Sequence, residues 1–369
     1  MRSAMTIDRH LEPLRTAIQH NCEISDASGS GIFSICGMAL RLRDLNKWEQ
    51  GFSPWEENEP AALVNWIDQK EQLWENLEGQ PFGSLPLNGG MYDPFDTQGI
   101  NTALVPHKLF YGAGYAHALK PTFFLARVAK TLRLEGLEII ILDQELIRDL
   151  LTLPAMGQDG AIIIRRDAGR LFLWDQMAYL KNSGKRFLSF ALKQSGLPDA
   201  GIENRKAHFD TLQAVQEQTY IYHEVGEIKD TVFDREVFRQ MIAAFPRTSS
   251  ELLIRTVKDL LADTGPVGTL SHLIATQQAA GLGFYAAFQD GLFLPLFPEL
   301  RQAFERFASD RDWDGIENAR NTGYERAGHY ARTLMDIFSD ARYSRDTQGA
   351  ADRIHTLLIE PLIEGHAVG

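Results

Sequence analysis

Beyond residue 204 the apolar residues recur at spacings of three and four almost without interruption. They do so over segments 206–229, 234–245, 249–262, 269–278, 284–293, 299–308 and 313–338. That period gives each segment one apolar stripe, and a helix with one apolar stripe must bury it against another element. Pro246, Gly265-Pro266, Gly281 and the Pro295–Pro298 stretch punctuate the run, so the second half of the chain reads as helix packed on helix. Two stretches follow another rule. Residues 137–142 (Leu-Glu-Ile-Ile-Ile-Leu) and 161–164 are short, rich in β-branched residues and preceded by Gly136 and Gly160, as strands are. The fold class this predicts is mainly α: a multi-helix, two-lobed bundle with a small β-sheet in the N-terminal lobe.

The first half reads as helices at 5–21, 32–49, 59–77 (opened by Pro60), 99–104, 121–132, 144–153, 167–181 and 187–194. A polar, glycine-rich turn is expected at 25–31 and a loop at 78–95, while 110–119 fits neither pattern. Gly196, Pro198 and Gly201 suggest a boundary. The expected division is an N-terminal α+β lobe at 1–198, a C-terminal helical lobe at 199–344, and a tail at 345–369 with one amphipathic helix broken at Pro361. No internal repeat or low-complexity tract is apparent.

The formal net charge is −12. A nucleic-acid binder needs a basic surface to displace counterions, and an anionic membrane repels an acidic protein, so neither is an expected partner. Two cysteines in 369 residues are no disulfide framework. No window approaches the ~20 apolar residues of a membrane span, and the N-terminus lacks a signal-peptide core. The expectation is a cytoplasmic protein whose partner is a small molecule, with self-association into a homo-oligomer left open.

The sharpest local pattern is His223-Glu224-Val225-Gly226-Glu227. In a helix over 214–230, His223, Glu227 and Asp230 share a face, which is how helices present metal ligands. The pattern departs from the zinc-protease His-Glu-x-x-His because a glutamate replaces the second histidine, which shifts the expectation from zinc to iron or manganese. Gly226 inside the helix implies close packing or a ligand that needs room. A second helix carries Arg255, Asp259 and Asp263, each four apart. If the two helices meet, His223, Glu227, Asp259 and Asp263 form a metal set, Glu224 acts in catalysis and Arg255 anchors an anionic substrate. The plainer alternative is that Arg255 bridges Asp259 and the other charges are solvated.

Other candidates are weaker. Cys22 and Cys36 read as buried apolar-like residues, and Asp26 as a helix cap. The charged run Arg41 to Glu49 reads as a solvated helix end. Arg165, Arg166 and Arg170 with Lys120 suit either an anion pocket or exposed charge. Gly112-Ala-Gly114 with Tyr115 and His117 lacks the rest of a dinucleotide fingerprint, and there is no P-loop and no GxSxG elbow. The aromatic run Phe284, Tyr285, Phe288, Phe293 and Phe297 reads as core, or as a groove if exposed.

Several stretches together resemble one family: Asn21-Cys-Glu-Ile-Ser-Asp-Ala27, Leu40-Arg-Leu-Arg-Asp-Leu-Asn-Lys-Trp-Glu49, Asp93-Pro-Phe95, Tyr111-Gly-Ala-Gly114, Lys120-Pro-Thr-Phe-Phe-Leu125, Leu173-Trp-Asp175, Tyr222-His-Glu-Val-Gly-Glu227 and 255–264. Over about 21–338 the chain resembles the Sfum family, bacterial proteins of unknown function. It departs at 28–32, where Ser-Gly-Ser-Gly-Ile stands in place of a His-Ala-Gly-like stretch. The resemblance implies a bacterial, cytoplasmic, mostly helical protein with N- and C-terminal parts. The residues themselves suggest a metal-dependent oxidoreductase or hydrolase acting on a small anionic substrate. A non-catalytic ligand-binding or regulatory protein, with ion pairs at the same helices, is the alternative.

Overall fold

A computed structural model describes residues 9–116, 120–197 and 199–367. The expected helix start at 5–8, His117 and the last two residues of the tail lie outside these. The chain is mainly α with a small curled sheet, and it divides into two compact units, Met1–Asp175 and Gln176–Gly369. The glycine-containing stretch after residue 194 connects two helices inside the second unit.

The first unit runs α1 (Glu12–Gly29), α2 (Ile35–Gln50), α3 (Pro60–Glu75), β1 (Leu85–Leu87), β2 (Gly90–Tyr92), α4 (Thr97–Leu104), β3 (Leu109–Tyr115), β4 (Pro121–Leu134), β5 (Leu137–Arg148), β6 (Ala155–Gln158) and β7 (Ala161–Arg165). It then enters α5 (Arg166–Ala178). β1 and β2 form a small hairpin inside the expected loop. The other strands form one sheet in the order β3-β4-β5-β7-β6, antiparallel except for the β5–β7 pair.

The expected helix at 121–132 is strand instead, and the one at 144–153 is strand to Arg148 and irregular chain beyond it. β4 is paired on both sides and residues 122–126 are buried in succession, so its apolar run carries no alternation to betray it. β5 continues past the expected end at 142 to Arg148, and register shifts against β4 near Leu125, Arg127 and Val128 let the long pair bend. The ambiguous segment at 110–119 contains β3. Gly112 is needed there because the Phe124 ring occupies the place of a Cβ. The curl brings edge strands β3 and β6 together, where the Gln158 amide accepts from Ala113 N (3.0 Å) and donates to Tyr111 O (3.1 Å). Gln158 thus supplies the partner of Ala113 N across the gap, while Tyr111 O is shared with Asn101 Nδ2 (2.9 Å).

The expected turn at 25–31 is mostly the end of α1. Its polar residues stay helical because they have buried partners. Ser25 donates to Pro121 O and accepts from Lys120 Nζ (2.7 Å), and Asp26 accepts from Lys120 Nζ (3.0 Å) and Leu150 N (3.1 Å). Asp26 is therefore a tie between α1 and the sheet, not a cap. Burial raises its carboxyl to about 7 even with Lys120 beside it. The charged end of α2 is likewise folded in. Lys47 is fully buried on Pro54 O (2.8 Å) and Glu57 (2.6 Å), and Arg43 grips Asp175 (2.6 Å). Arg165 is not an exposed helix start: it is 0% exposed, pairs with Glu145 (2.5 Å) and lies over the Phe124 ring. Lys120 is engaged by Asp26 (3.0 Å) and Asp149 (3.6 Å), and Arg165 by Glu145, so each cation already has its own acid. Cys22 is buried, with burial raising its thiol, whereas Cys36 is exposed, contrary to expectation.

The second unit continues with α6 (Lys185–Gln194), α7 (Ile202–Ala207), α8 (Phe209–Lys229), α9 (Arg235–Ala244), α10 (Ser249–Thr264), α11 (Thr269–Ala275) and α12 (Ala279–Phe288). After it come α13 (Phe293–Leu296), α14 (Pro298–Asp310), α15 (Trp313–Ser344), α16 (Thr347–Ile354) and α17 (Glu360–Ala367). α10 packs against α8, α9, α11 and α15 and is buried around most of its circumference. The tail is helical past Pro361, because a π-helical turn at His355–Ile359 widens the backbone just before it. Phe284 and Phe297 of the aromatic run are core, stacked or edge-on to their aromatic neighbours.

Replacing Gln158 with leucine takes the side-chain partner from Ala113 N, while Tyr111 O keeps Asn101, and should cost about 1–3 kcal/mol. Urea unfolding of the variant checks this; an unchanged midpoint would show that the sheet closes without it.

Candidate functional site

Sequence spacing places His223 and Glu227 on one face of α8, and Asp259 and Asp263 on one face of α10. What brings the faces together is backbone contact. A Cβ on Gly226 would collide with the Ala262 carbonyl oxygen, and so would one on Gly268 just before α11. Ala262 O is thus pinched between two glycines, and α8 meets α10 closely enough for His223 to reach the carboxylates. α10 is held at its start by Thr248, which accepts from Glu251 N (3.2 Å) while Glu251 reaches back to Arg247 N (2.7 Å). The capping residue is thus Thr248.

His223 Nδ1 bonds Asp263 Oδ1 at 2.9 Å. Thr269, the first residue of α11, donates to the same oxygen at 2.7 Å. Asp263 is buried and fixed from two sides, so the imidazole is oriented and its Nε2 turns to Asp259 Oδ1, 4.0 Å away. Half of the Asp259 side-chain surface is exposed, while protein surrounds the carboxyl so densely that desolvation is its largest influence. A group reachable by solvent yet ringed by protein lies in a cleft.

The cleft holds unusual proton affinities. Burial opposes charge on His223, but Asp263, Asp259 and Glu224 outweigh it and hold the imidazole well above its ordinary value. Burial raises Glu224 to about 7 against the pull of His223, with Glu227 and Asp259 adding to the rise. Burial also raises Asp259 to about 6, opposed by His223 and reinforced by Asp263. An imidazolium that bonds Asp263 through Nδ1 and turns Nε2 toward Asp259 at 4.0 Å therefore lies beside two carboxyls raised to about 6 and about 7.

Of the four expected metal ligands, three come together, with Asp263 on the opposite ring nitrogen from Asp259. Glu227 turns to Lys258, whose Nζ is 3.6 Å away. Asp230 leaves the shared face, because it ends α8 and accepts from Val232 N and Phe233 N. Arg255 bonds Glu251 (2.8 Å) rather than bridging Asp259. Among the described residues no group of three or more His, Cys, Asp or Glu side chains is arranged to hold a metal ion.

Sequence reasoning missed Thr269 and Tyr285. Tyr285 is buried, and its hydroxyl is pushed well up by burial and then by Asp263. It also missed the Tyr222–His272 stack, with ring centroids 3.6 Å apart. The Gly265-Pro266-Val267-Gly268 turn before Thr269 was visible and marks where the chain doubles back, but nothing in it says toward what.

Two family models match the chain: the family of unknown function (DUF6866) N-terminal domain over residues 13–165, and its C-terminal domain over residues 170–360. The chain belongs to this DUF6866 family. The match gives that family, and not the Sfum name, for the motifs at 21–27 and 222–227. Neither the comparison with curated proteins nor that with solved structures yields a match. The His223 cleft lies within the DUF6866 C-terminal domain. No helix among the described residues is long and apolar enough to cross a membrane.

Two outcomes follow from the geometry. Gly226→Ala gains ~1 kcal/mol of helix propensity but forces α8 off Ala262, for a net loss of about 2–4 kcal/mol in unfolding experiments. The second concerns pH. A raised histidine contributes stability that is complete below about pH 6.5 and lost as pH rises through its folded value. Glu224 and Asp259 act in the same sense at lower pH, since the folded state keeps protons that the unfolded state releases. Stability should therefore fall as pH rises above about 6.5, and His223→Gln should flatten that fall. Equal slopes in the two proteins would remove His223 as its source.

Proposed function

We propose that the His223 cleft is the active site of an enzyme that transfers protons on a small molecule. His223, held protonated and aimed by Asp263, is the general acid. Asp259, ionised at neutral pH and reached from solvent, is the general base, and Glu224 holds a proton in reserve. The observation that carries the reading is the 2.9 Å Asp263–His223 bond, which fixes the imidazole while its second nitrogen faces a half-exposed carboxylate. Groups with shifted proton affinities cluster where a site does acid–base chemistry, and three of them gather here. With Arg255 engaged by Glu251, an anionic substrate would be met by the imidazolium. In this reading the protein is bacterial and cytoplasmic, as the Sfum resemblance and the acidic composition suggest, and its partner is neither nucleic acid nor membrane.

One observation favours a metal-assisted version of the same site. With metal–ligand bonds of about 2.1 Å, an ion held by both His223 Nε2 and Asp259 would place those atoms about 3–4 Å apart, and they stand 4.0 Å apart. The Asp263 bond to Nδ1 is the outer-shell support that metal-binding histidines use. Iron or manganese suits such donors better than zinc.

The test is a screen of ester, amide and phosphoester hydrolysis and of proton exchange next to carbonyl groups, run with His223→Gln as the matched control. Any turnover found should drop about 100-fold or more in the variant, and Asp263→Asn should lose most of it too. Turnover unaffected by His223→Gln would place the chemistry elsewhere. Elemental analysis of untagged protein separates the two versions. About one iron or manganese per chain, lost in both His223→Ala and Asp259→Ala, would establish the metal-assisted one.

A further inference from the structure

A cavity of about 200 Å³ lies within the second unit, between the end of α5, the start of α6 and the end of α12. Gln176, Leu180, Gly184, Ala287, Phe288 and Gln289 line it. Gly184 is required by its shape, since a Cβ there would come within 2.5 Å of Ala287 O. The volume exceeds that of an engineered apolar cavity that takes up benzene, about 150 Å³.

The walls are unusual in their polar groups. Gln289 is 8% exposed, and neither its Oε1 nor its Nε2 has a partner at ordinary hydrogen-bonding geometry, its amide lying near the Tyr285 hydroxyl; the half-buried Gln176 leaves its Oε1 unpaired. Buried amide atoms left unpaired are costly, and native proteins keep few of them. Such atoms on two residues in the wall of one cavity are what a binding site looks like when its ligand supplies the missing partners. The two charged side chains of the lining, Lys181 and Asp290, pair with each other at 2.7 Å. Leu180, Ala287 and Phe288 supply apolar wall, and Tyr179 and Ser183 complete the lining.

We propose that this cavity binds a small neutral molecule: an apolar ring or short chain bearing a primary carboxamide or an equivalent donor–acceptor edge. The edge pairs with Gln289 and Gln176, and the apolar body packs on Leu180 and Phe288. The claim is independent of chemistry at His223. The cavity is nonetheless close to it, since Gln289 and Asp263 both act on the Tyr285 hydroxyl.

The probe is benzamide, with benzoate as its charged counterpart, followed by saturation-transfer NMR and by the amide shift of Phe288 in chain labelled with ¹⁵N-phenylalanine. Benzamide should bind saturably with Kd of about 1 mM, as expected of a fragment this small. Benzoate should bind at least about tenfold more weakly, as should benzamide to Gln289→Leu. Gln289→Leu should also melt at the same or a higher temperature, because it removes unpaired buried atoms. Gln176→Leu gives a second variant with the same expectation. The proposal is overturned if benzamide shows no saturable binding, if benzoate binds as well, or if both leucine variants bind benzamide unchanged. A lower melting temperature for both variants would also overturn it, because those amides would then be serving the fold.

Discussion

The geometry of the second unit turns on one carbonyl oxygen, Ala262 O. Gly226 of α8 and Gly268 at the entry to α11 both approach it more closely than a side chain would permit. Three elements are thereby locked to one point, and the consequences follow in order. α8 lies close enough to α10 for an imidazole to span the gap. The turn after α10 is tight enough to set Thr269 beside Asp263. Asp263, one residue past the contact, receives both bonds. A methyl group at either glycine would separate elements whose side chains are only useful together.

The first unit is held by a different device. Lys120 is buried between Asp26 and Asp149, and Arg165 and Arg148 are buried around Glu145. Buried ion pairs seldom add much stability over apolar residues of the same size, but losing one partner strands a charge and is strongly destabilising. Such pairs therefore act as keys. Lys120 fits only if α1 is helical through Asp26 and if the chain beyond β5 delivers Asp149 and Leu150 to the same place. The network selects the arrangement of α1 on the sheet more than it strengthens it.

This contrast explains which parts of the chain could be read in advance. The helices of the second unit announce themselves through their apolar period, and in α15 that period is the direct record of one buried face. The first unit hides its sheet because β4 is buried on both faces and Gly112 breaks the pattern of β3, so neither alternates. The stretch at 25–29 misleads for a related reason. Its serine, aspartate and glycine favour turns when solvated, but here Ser25 and Asp26 are satisfied by Lys120, almost a hundred residues away. The candidate site follows the same logic. His223, Asp259 and Asp263 could be picked out because they lie on regular helices. The diversion of Glu227 to Lys258 and the arrival of Thr269 depend on tertiary contacts that no local period encodes.

The charge balance of the cleft carries this further. Asp259, Asp263, Glu224 and Glu227 stand against His223 and Lys258, with Arg255 already committed to Glu251. Four acids so close together cannot all be ionised cheaply in a partly desolvated space. The system has three ways to relieve the repulsion: keep His223 protonated, keep a proton on Glu224 or Asp259, or admit a cation. The first two are what the raised proton affinities express, and the third is the metal-assisted form of the site. All three follow from the same excess of negative charge, so in the proposed metal-assisted form a proton at His223 and a metal ion beside it would compete for one place. Acidity that lowered metal occupancy would then leave the proposed proton-transfer form, and the electrostatics of the four carboxylates would set the pH at which the two exchange.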